Sequence, residues 1–464
     1  MSNSILWLLG GLLLSGCGYV TIRTLPTWRT SPLVVISGSW ALMFLVSATQ
    51  IIAFPPPPVE AFCYILAFPC MMMLGCFAFS VLVVKRSRID QRRTTELYNA
   101  VPQLLRVILV LGLVGLVTKL YPALDRSLNV FELSDLRNVA FLQADRGRLG
   151  WIERIGELTF PFVWLSFMIG IVFSEFIGPY TRKLVCFFVF GLIVYGITSL
   201  GRTTAVRIVF LMFTCMMVRW DLGLRAIPWR WTVVSRVLVF LCVAFFLVYF
   251  LTVWGLRSGG LEYLRAGTTN FHSAATDSET MEFIYTIVPA KFVDTVNLLA
   301  LYTATVPDNF CSFYELVDVS PLYGLWQLFG VSTILNRLGV PVEPALILNE
   351  NVEMNYSLAG LQYGQWRTMA QEFILDFGKP GAIVAVLMTG VLAGWVYSKF
   401  LLRGAHWGVV LALVNYWIIF GVGTSPLHTQ EVILLVYCLV FSFRIDHYYR
   451  LKAVRPISSH RASI

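Results

Sequence analysis

Apolar runs of bilayer-crossing length recur along this chain, separated by short polar segments. A helical span needs about 20 mostly apolar residues. On that criterion the pattern predicts spans over 4–22, 32–54, 61–84, 101–121, 158–180, 184–200, 203–219, 233–255, 380–402, 406–424 and 431–446, eleven in all. Two further stretches, 283–304 and 321–340, fit a buried or spanning pair, and adding them alters no other orientation. The predicted fold class is therefore all-α, a polytopic transmembrane helix bundle of about eleven spans, or twelve to thirteen with the extra pair.

Two polar stretches break the alternation. Residues 122–157 carry Leu136, Val139, Ala140, Leu149, Trp151 and Ile152 among charges, the pattern of an amphipathic helix lying at an interface. The stretch from Arg257 to about Lys379 mixes Tyr263, Phe271, Tyr314, Tyr323, Trp326, Tyr356, Tyr363 and Trp366 with prolines and polar residues. A connection that long inside a compact fold is uncommon unless it has a function, so it reads as a folded cap or a set of re-entrant helices. Three units follow: an N-terminal membrane bundle over 1–255, the large loop over 256–379, and C-terminal spans with a basic tail over 380–464.

Composition agrees with the pattern. The 464 residues are 57% hydrophobic and 13% charged, with a mean hydropathy of +0.73, against roughly 25% charged residues in soluble domains. The net charge of +9 arises from short basic segments around Arg23/Arg29, Lys85–Arg93, Arg182/Lys183, Arg219–Arg236, Arg403 and Arg444–Arg455. These segments alternate with acid-bearing ones. The positive-inside rule then places the basic loops and C-terminus in the cytoplasm, and the N-terminus and long loops outside. No nucleic-acid module is present. The nine cysteines form no CxxC pair and the five histidines no ligand cluster; Asp277 and Glu279 alone have a spacing suited to a divalent ion. Leu14-Ser15-Gly16-Cys17 matches a lipoprotein cleavage box, but no basic residue precedes the apolar stretch, so it is read as the first span.

Candidate chemistry gathers on the outer side. In "QWRTMAQEFILDFGKPGAIVAVL", Gln365, Thr368, Glu372, Asp376 and Lys379 fall on one helical stripe, and Met369, Ala370, Phe373, Ile374 and Phe377 on the other. The segment reads as a surface helix that stops at Gly378 and bends at Pro380 into the next span, where Gly390-x-x-x-Gly394 suits close helix packing. The stripe is either a wet face or the wall of a site. "TSLGRTTAVRIVFLMF" puts Arg202 at the tip of a helical hairpin and Arg207 just inside the membrane, where arginines are paired, cavity-facing or snorkelled. Arg257, Arg265, Arg337 and Arg367 are assigned to the same side. A guanidinium forms bidentate, permanently charged bonds to phosphate, so these arginines suggest an anionic amphiphile such as a lipid pyrophosphate; the alternative is pairing with Glu262, Glu372 or Asp376. His428 and Glu431 share a short outer loop, where His428 is a candidate general base; His272 is a weaker one. No Walker A, G-x-S-x-G, H-E-x-x-H or dinucleotide fingerprint occurs. The substrate would have to arrive already activated, with no cofactor.

The hairpin "LGRTTAVRI", the single large outer loop and "EFILDFGKPGAIVAVLMTGVLAG" together resemble the Wzy-type oligosaccharide repeat-unit polymerases. The shared elements are Gly201-Arg202 opening one span, and Asp376-Phe377-Gly378-Lys379-Pro380-Gly381 opening a late one. The resemblance implies a glycosyltransferase of the bacterial inner membrane, working on the periplasmic face. It would transfer an undecaprenyl-pyrophosphate-linked glycan onto the next lipid-linked repeat unit, alongside a flippase and a chain-length regulator as partners. Arg202, Arg207, Arg257 and Arg367 would hold the departing pyrophosphate, and Glu372, Asp376 or His428 would take the acceptor proton. An O-antigen-ligase-type transfer and a transporter of the same lipid-linked sugar are the alternatives.

Overall fold

The computed structural model describes residues 3–25, 27–49, 57–84, 101–129, 151–198, 202–226, 286–287, 306–307, 310–315, 321–324, 368–422 and 429–454. Its elements are all helical: α1 Asn3–Thr24, a 3-10 turn Trp28–Thr30, α2 Pro32–Ala48, α3 Val59–Val84, α4 Val101–Asn129, α5 Trp151–Thr159, α6 Pro161–Val172, α7 Pro179–Thr198, α8 Arg202–Asp221, α9 Met369–Arg403, α10 Ala405–Gly421 and α11 Thr429–Val454. Proline opens α2, α6 and α7, where its missing N–H costs nothing.

Among these helices α1, α3, α4 and α9 are both long and apolar enough to cross a membrane, while α2, α6 and α10 are apolar but shorter. The run 158–180 differs from its predicted single span. Pro161 starts a fresh helix of 12 residues that ends at Val172, and a turn leads to Pro179. The expected span 233–255 and the pair 283–304 and 321–340 fall wholly or mostly outside the described residues. So do Leu136, Val139, Ala140 and Leu149; of the amphipathic stretch, α5 is described, and it exposes Ile152, Ile155 and Leu158.

The outer surface is apolar. Leu9, Leu12, Leu13 and Val20 of α1, Leu74 and Phe77 of α3, Val107, Val110 and Val117 of α4, and Val384 and Met388 of α9 are exposed. Exposed apolar side chains on four of the described helices suit lipid as solvent. The inside is organised on α10, whose residues Ala405–Ile418 are all buried, as expected of a helix that is apolar all round.

Neighbouring helices run in opposed directions around α10. Gly408 lies against Val218 and Phe400, and Gly421 against Met369, so α8 and α9 begin where α10 ends. His406 bonds Asp446, which sets α11 antiparallel to α10 too. One end of the bundle, the α8/α9/α11 start, is termed the proximal end below; the other is distal. Backbones touch where α3 runs beside α9: a Cβ on Gly390 would fall 2.0 Å from Met72 O, on Gly394 2.5 Å from Cys76 O, and on Gly75 2.2 Å from Leu387 O. The Gly390-x-x-x-Gly394 spacing thus serves the close packing expected of it.

The distal end is held by buried polar groups. Arg219, with no exposed side-chain surface, donates from Nε to Arg225 O (2.8 Å), from Nη1 to Ile171 O (3.0 Å), Val172 O (3.1 Å) and Ser174 Oγ (2.9 Å), and from Nη2 to Glu175 Oε1 (2.8 Å). It therefore caps the last carbonyls of α6, which have no partner inside the helix. Asp221 accepts from Thr30 N (2.9 Å) and Thr30 Oγ1 (2.7 Å) and lies 3.5 Å from Arg29. Burial pushes the Asp221 carboxyl above the usual carboxylate range, although the Thr30 bonds and Arg29 pull the other way. Asn415 Nδ2 donates to Thr30 O (3.0 Å). The 3-10 turn is thereby plugged into the bundle.

Candidate functional site

The proximal end is built first by the opening of α9. Thr368 and Gln371 form a reciprocal cap, Gln371 N donating to Thr368 Oγ1 (3.1 Å) and Thr368 N to Gln371 Oε1 (2.8 Å), which fixes where the helix starts. From Met369 to Asp376 every residue is buried. This corrects the expected surface helix, because both faces are covered. Phe373 packs on Phe68 of α3 and Met369 on Gly421 of α10. Glu372 is 3% exposed and Asp376 fully buried. One turn apart, they share a helix face.

The helix then breaks as the sequence expects. Gly378 takes φ 69°, ψ 171°, a conformation that suits only a residue without Cβ, and Pro380 restarts the helix. Segment 321–324 closes the break: Leu322 N donates to Leu375 O (3.1 Å) and Tyr323 N to Asp376 O (2.6 Å). Beside it, Tyr64 OH donates to Lys379 O (2.5 Å), and the Lys379 ammonium stands 4.0 Å from the centre of the Tyr314 ring.

The second part is α8. Arg202 is its first residue; its side chain lies outside the described residues. Arg207 is described in full. Its Nη2 pairs with Glu431 Oε1, its Nε donates to Tyr416 OH (3.3 Å), and its guanidinium carbon lies 5.1 Å from the centre of the Trp164 ring. The pair is 14% and 4% exposed, so Arg207 is caged by α6, α10 and α11. Of the three open readings for Arg207, pairing is the one adopted, with Glu431 as the acid.

Arg202, Arg207, Glu372 and Asp376 are thus brought to one end of one bundle. His428, His272, Arg257, Arg265, Arg337, Arg367, Asp277 and Glu279 lie outside the described residues. Among the described residues no group of three or more His, Cys, Asp or Glu could hold a metal ion. Trp164, Tyr416 and the pairing role of Glu431 were missed by sequence reasoning. Glu431, an acid in the first turn of α11, carried a weak signal; the two aromatics sit in apolar runs and carried none. Chemically, the end offers an arginine already paired with Glu431 and two carboxylates screened from solvent. No protein-family model, no curated protein and no solved structure matches this chain.

Proposed function

We propose that this protein polymerises undecaprenyl-pyrophosphate-linked oligosaccharide repeat units into a surface polysaccharide. The proposed setting is the periplasmic face of the bacterial inner membrane, with the chain spanning it about eleven times. The observation that carries the reading is the convergence at the proximal end. The two elements that resemble the Wzy-type polymerases lie at the start of α8 and in the first turns of α9, both of which pack on α10, so arginine and buried carboxylate share that end of the bundle. The distal end gathers Arg23, Arg29, Arg182, Lys183, Arg219, Arg225 and Arg403, so by the positive-inside rule it faces the cytoplasm.

In the proposed reaction an acceptor sugar hydroxyl attacks the anomeric carbon of the donor glycan. The bond from that carbon to the pyrophosphate oxygen breaks, and the lipid pyrophosphate leaves with the electron pair. Arg202 and Arg207, with Arg257, Arg265, Arg337 and Arg367 of the large loop, stabilise the growing negative charge. Glu372, Asp376 or His428 takes the hydroxyl proton. No nucleotide-activated sugar enters the scheme, because the lipid pyrophosphate is itself the leaving group. The pathway's flippase and chain-length regulator are the proposed partners.

The test uses purified protein in nanodiscs with the host's own lipid-linked oligosaccharide, products being separated on a gel. A ladder of repeat-spaced bands is expected, and Arg202→Ala should remove it while insertion and abundance stay unchanged. An intact substrate with folded protein would overturn the polymerase reading; product appearing only after addition of lipid A core would replace it with a ligase.

A further inference from the structure

Tyr323 stands out on the proximal end. Its φ is +54°, and it is the single non-glycine residue with positive φ among the described residues. The next residue, Gly324, has φ +86°. Two successive positive-φ positions are normally filled by Asn-Gly or Gly-Gly, because a bulky side chain is strained there. The turn is nevertheless firmly tied. Leu322 N and Tyr323 N bond the carbonyls of Leu375 and Asp376, Pro321 lies against Gly378, and Gly324 lies against Phe377. The Tyr323 ring takes no part in this anchoring and remains 82% exposed. The backbone would be better served by glycine, and the core gains nothing from the ring. A strained residue held by an over-determined setting points to a use for its side chain.

We propose that the Tyr323 ring is a stacking platform for a sugar ring of the glycan, beside the carboxylate-bearing turn of α9. This rests on the glycan-polymerising reading above. The chemistry fits. The face of an aromatic ring carries negative charge density and meets the slightly positive C–H face of a pyranose, while the phenol offers a hydrogen bond at its edge. The backbone bond from Tyr323 N to the Asp376 carbonyl ties the backbone that carries this ring to the turn of α9 that holds Glu372 and Asp376, the candidate proton acceptors.

The experiment measures binding of the repeat-unit oligosaccharide, released from the host's own surface polysaccharide, to the full chain in nanodiscs, by saturation-transfer NMR and titration. Tyr323→Phe should bind within about twofold of wild type, and Tyr323→Ala and Tyr323→Gly at least about tenfold more weakly. Glycine suits the backbone, so Tyr323→Gly should unfold at or above the wild-type temperature, which separates lost stacking from lost folding. If wild type binds and polymerises but the Ala and Gly variants bind equally well, the platform is overturned and the polymerase reading stands; a changed depth of membrane insertion would then make the ring an interfacial anchor. If wild type neither binds the oligosaccharide nor forms a ladder, both fall.

Discussion

Arg207 and Arg219 sit on one helix and are both largely hidden, yet they are used differently. Arg219 is bonded to carbonyls, a hydroxyl and a carboxylate, with a partner on every nitrogen, and its side chain has no exposed surface to offer a ligand. Arg219→Met should strip Val172 O, Ser174 Oγ and Glu175 of their arginine partner and lower stability by about 3–5 kcal/mol, read as a fall in unfolding temperature in detergent. Asp221 shows the converse. Both Thr30 donors converge on one of its oxygens, so an amide oxygen can replace it. Its raised pKa means that the folded state holds the proton more tightly than the unfolded state. Stability from this group is therefore fully present below the unfolded-state pKa and is lost as pH rises through the higher folded-state pKa. Asp221→Asn should stay within about 1 kcal/mol of wild type and lose that pH dependence, whereas Asp221→Ala should cost about 1–3 kcal/mol; thermal unfolding across pH checks both. Arg207 itself was legible as a charge that needed a partner, but the partner was not. Glu431 is 224 positions away in the chain, and no local period reports such a meeting.

At the scale of elements, α9 shows where pattern reading works and where it stops. The break was legible, because Gly378 and Pro380 carry their backbone preferences in their own covalent structure. The close seam was legible for the same reason, since Gly390 and Gly394 lack anything to keep a neighbour away. Burial of Glu372 and Asp376 was not. Periodicity sorts residues onto faces but does not say what covers a face, and here segment 321–324, from a distant part of the chain, closes over the end of the turn. Two substitutions follow. Gly390→Leu should drive a side chain into the Met72 backbone and cost about 3 kcal/mol or more, seen as loss of folded protein on size exclusion. Gly378→Ala should cost about 1–2 kcal/mol, since alanine is strained at that positive φ, and should lower polymer yield if α9 must keep its bend.

For the whole molecule, hydropathy was enough to foresee that the described elements are helices and that four of them are long and apolar enough to cross a membrane, because solvent, not tertiary contact, selects those runs. The gathering of basic residues at one end makes orientation testable: a fluorescent-protein fusion after Ile464 should be bright and an alkaline phosphatase fusion after Gly324 active, and the reverse pattern would invert the proposed sidedness. The seam between α3 and α9 has a consequence of its own. Helices whose backbones meet at Gly75, Gly390 and Gly394 leave no width for a hydrocarbon tail between them. On the proposed reading, the isoprenoid chain of a substrate at the proximal end cannot enter between these two helices and has to run over the exposed apolar side chains of the bundle, so cross-linking from a photoreactive polyprenyl analogue should spare the seam residues Gly75, Gly390 and Gly394.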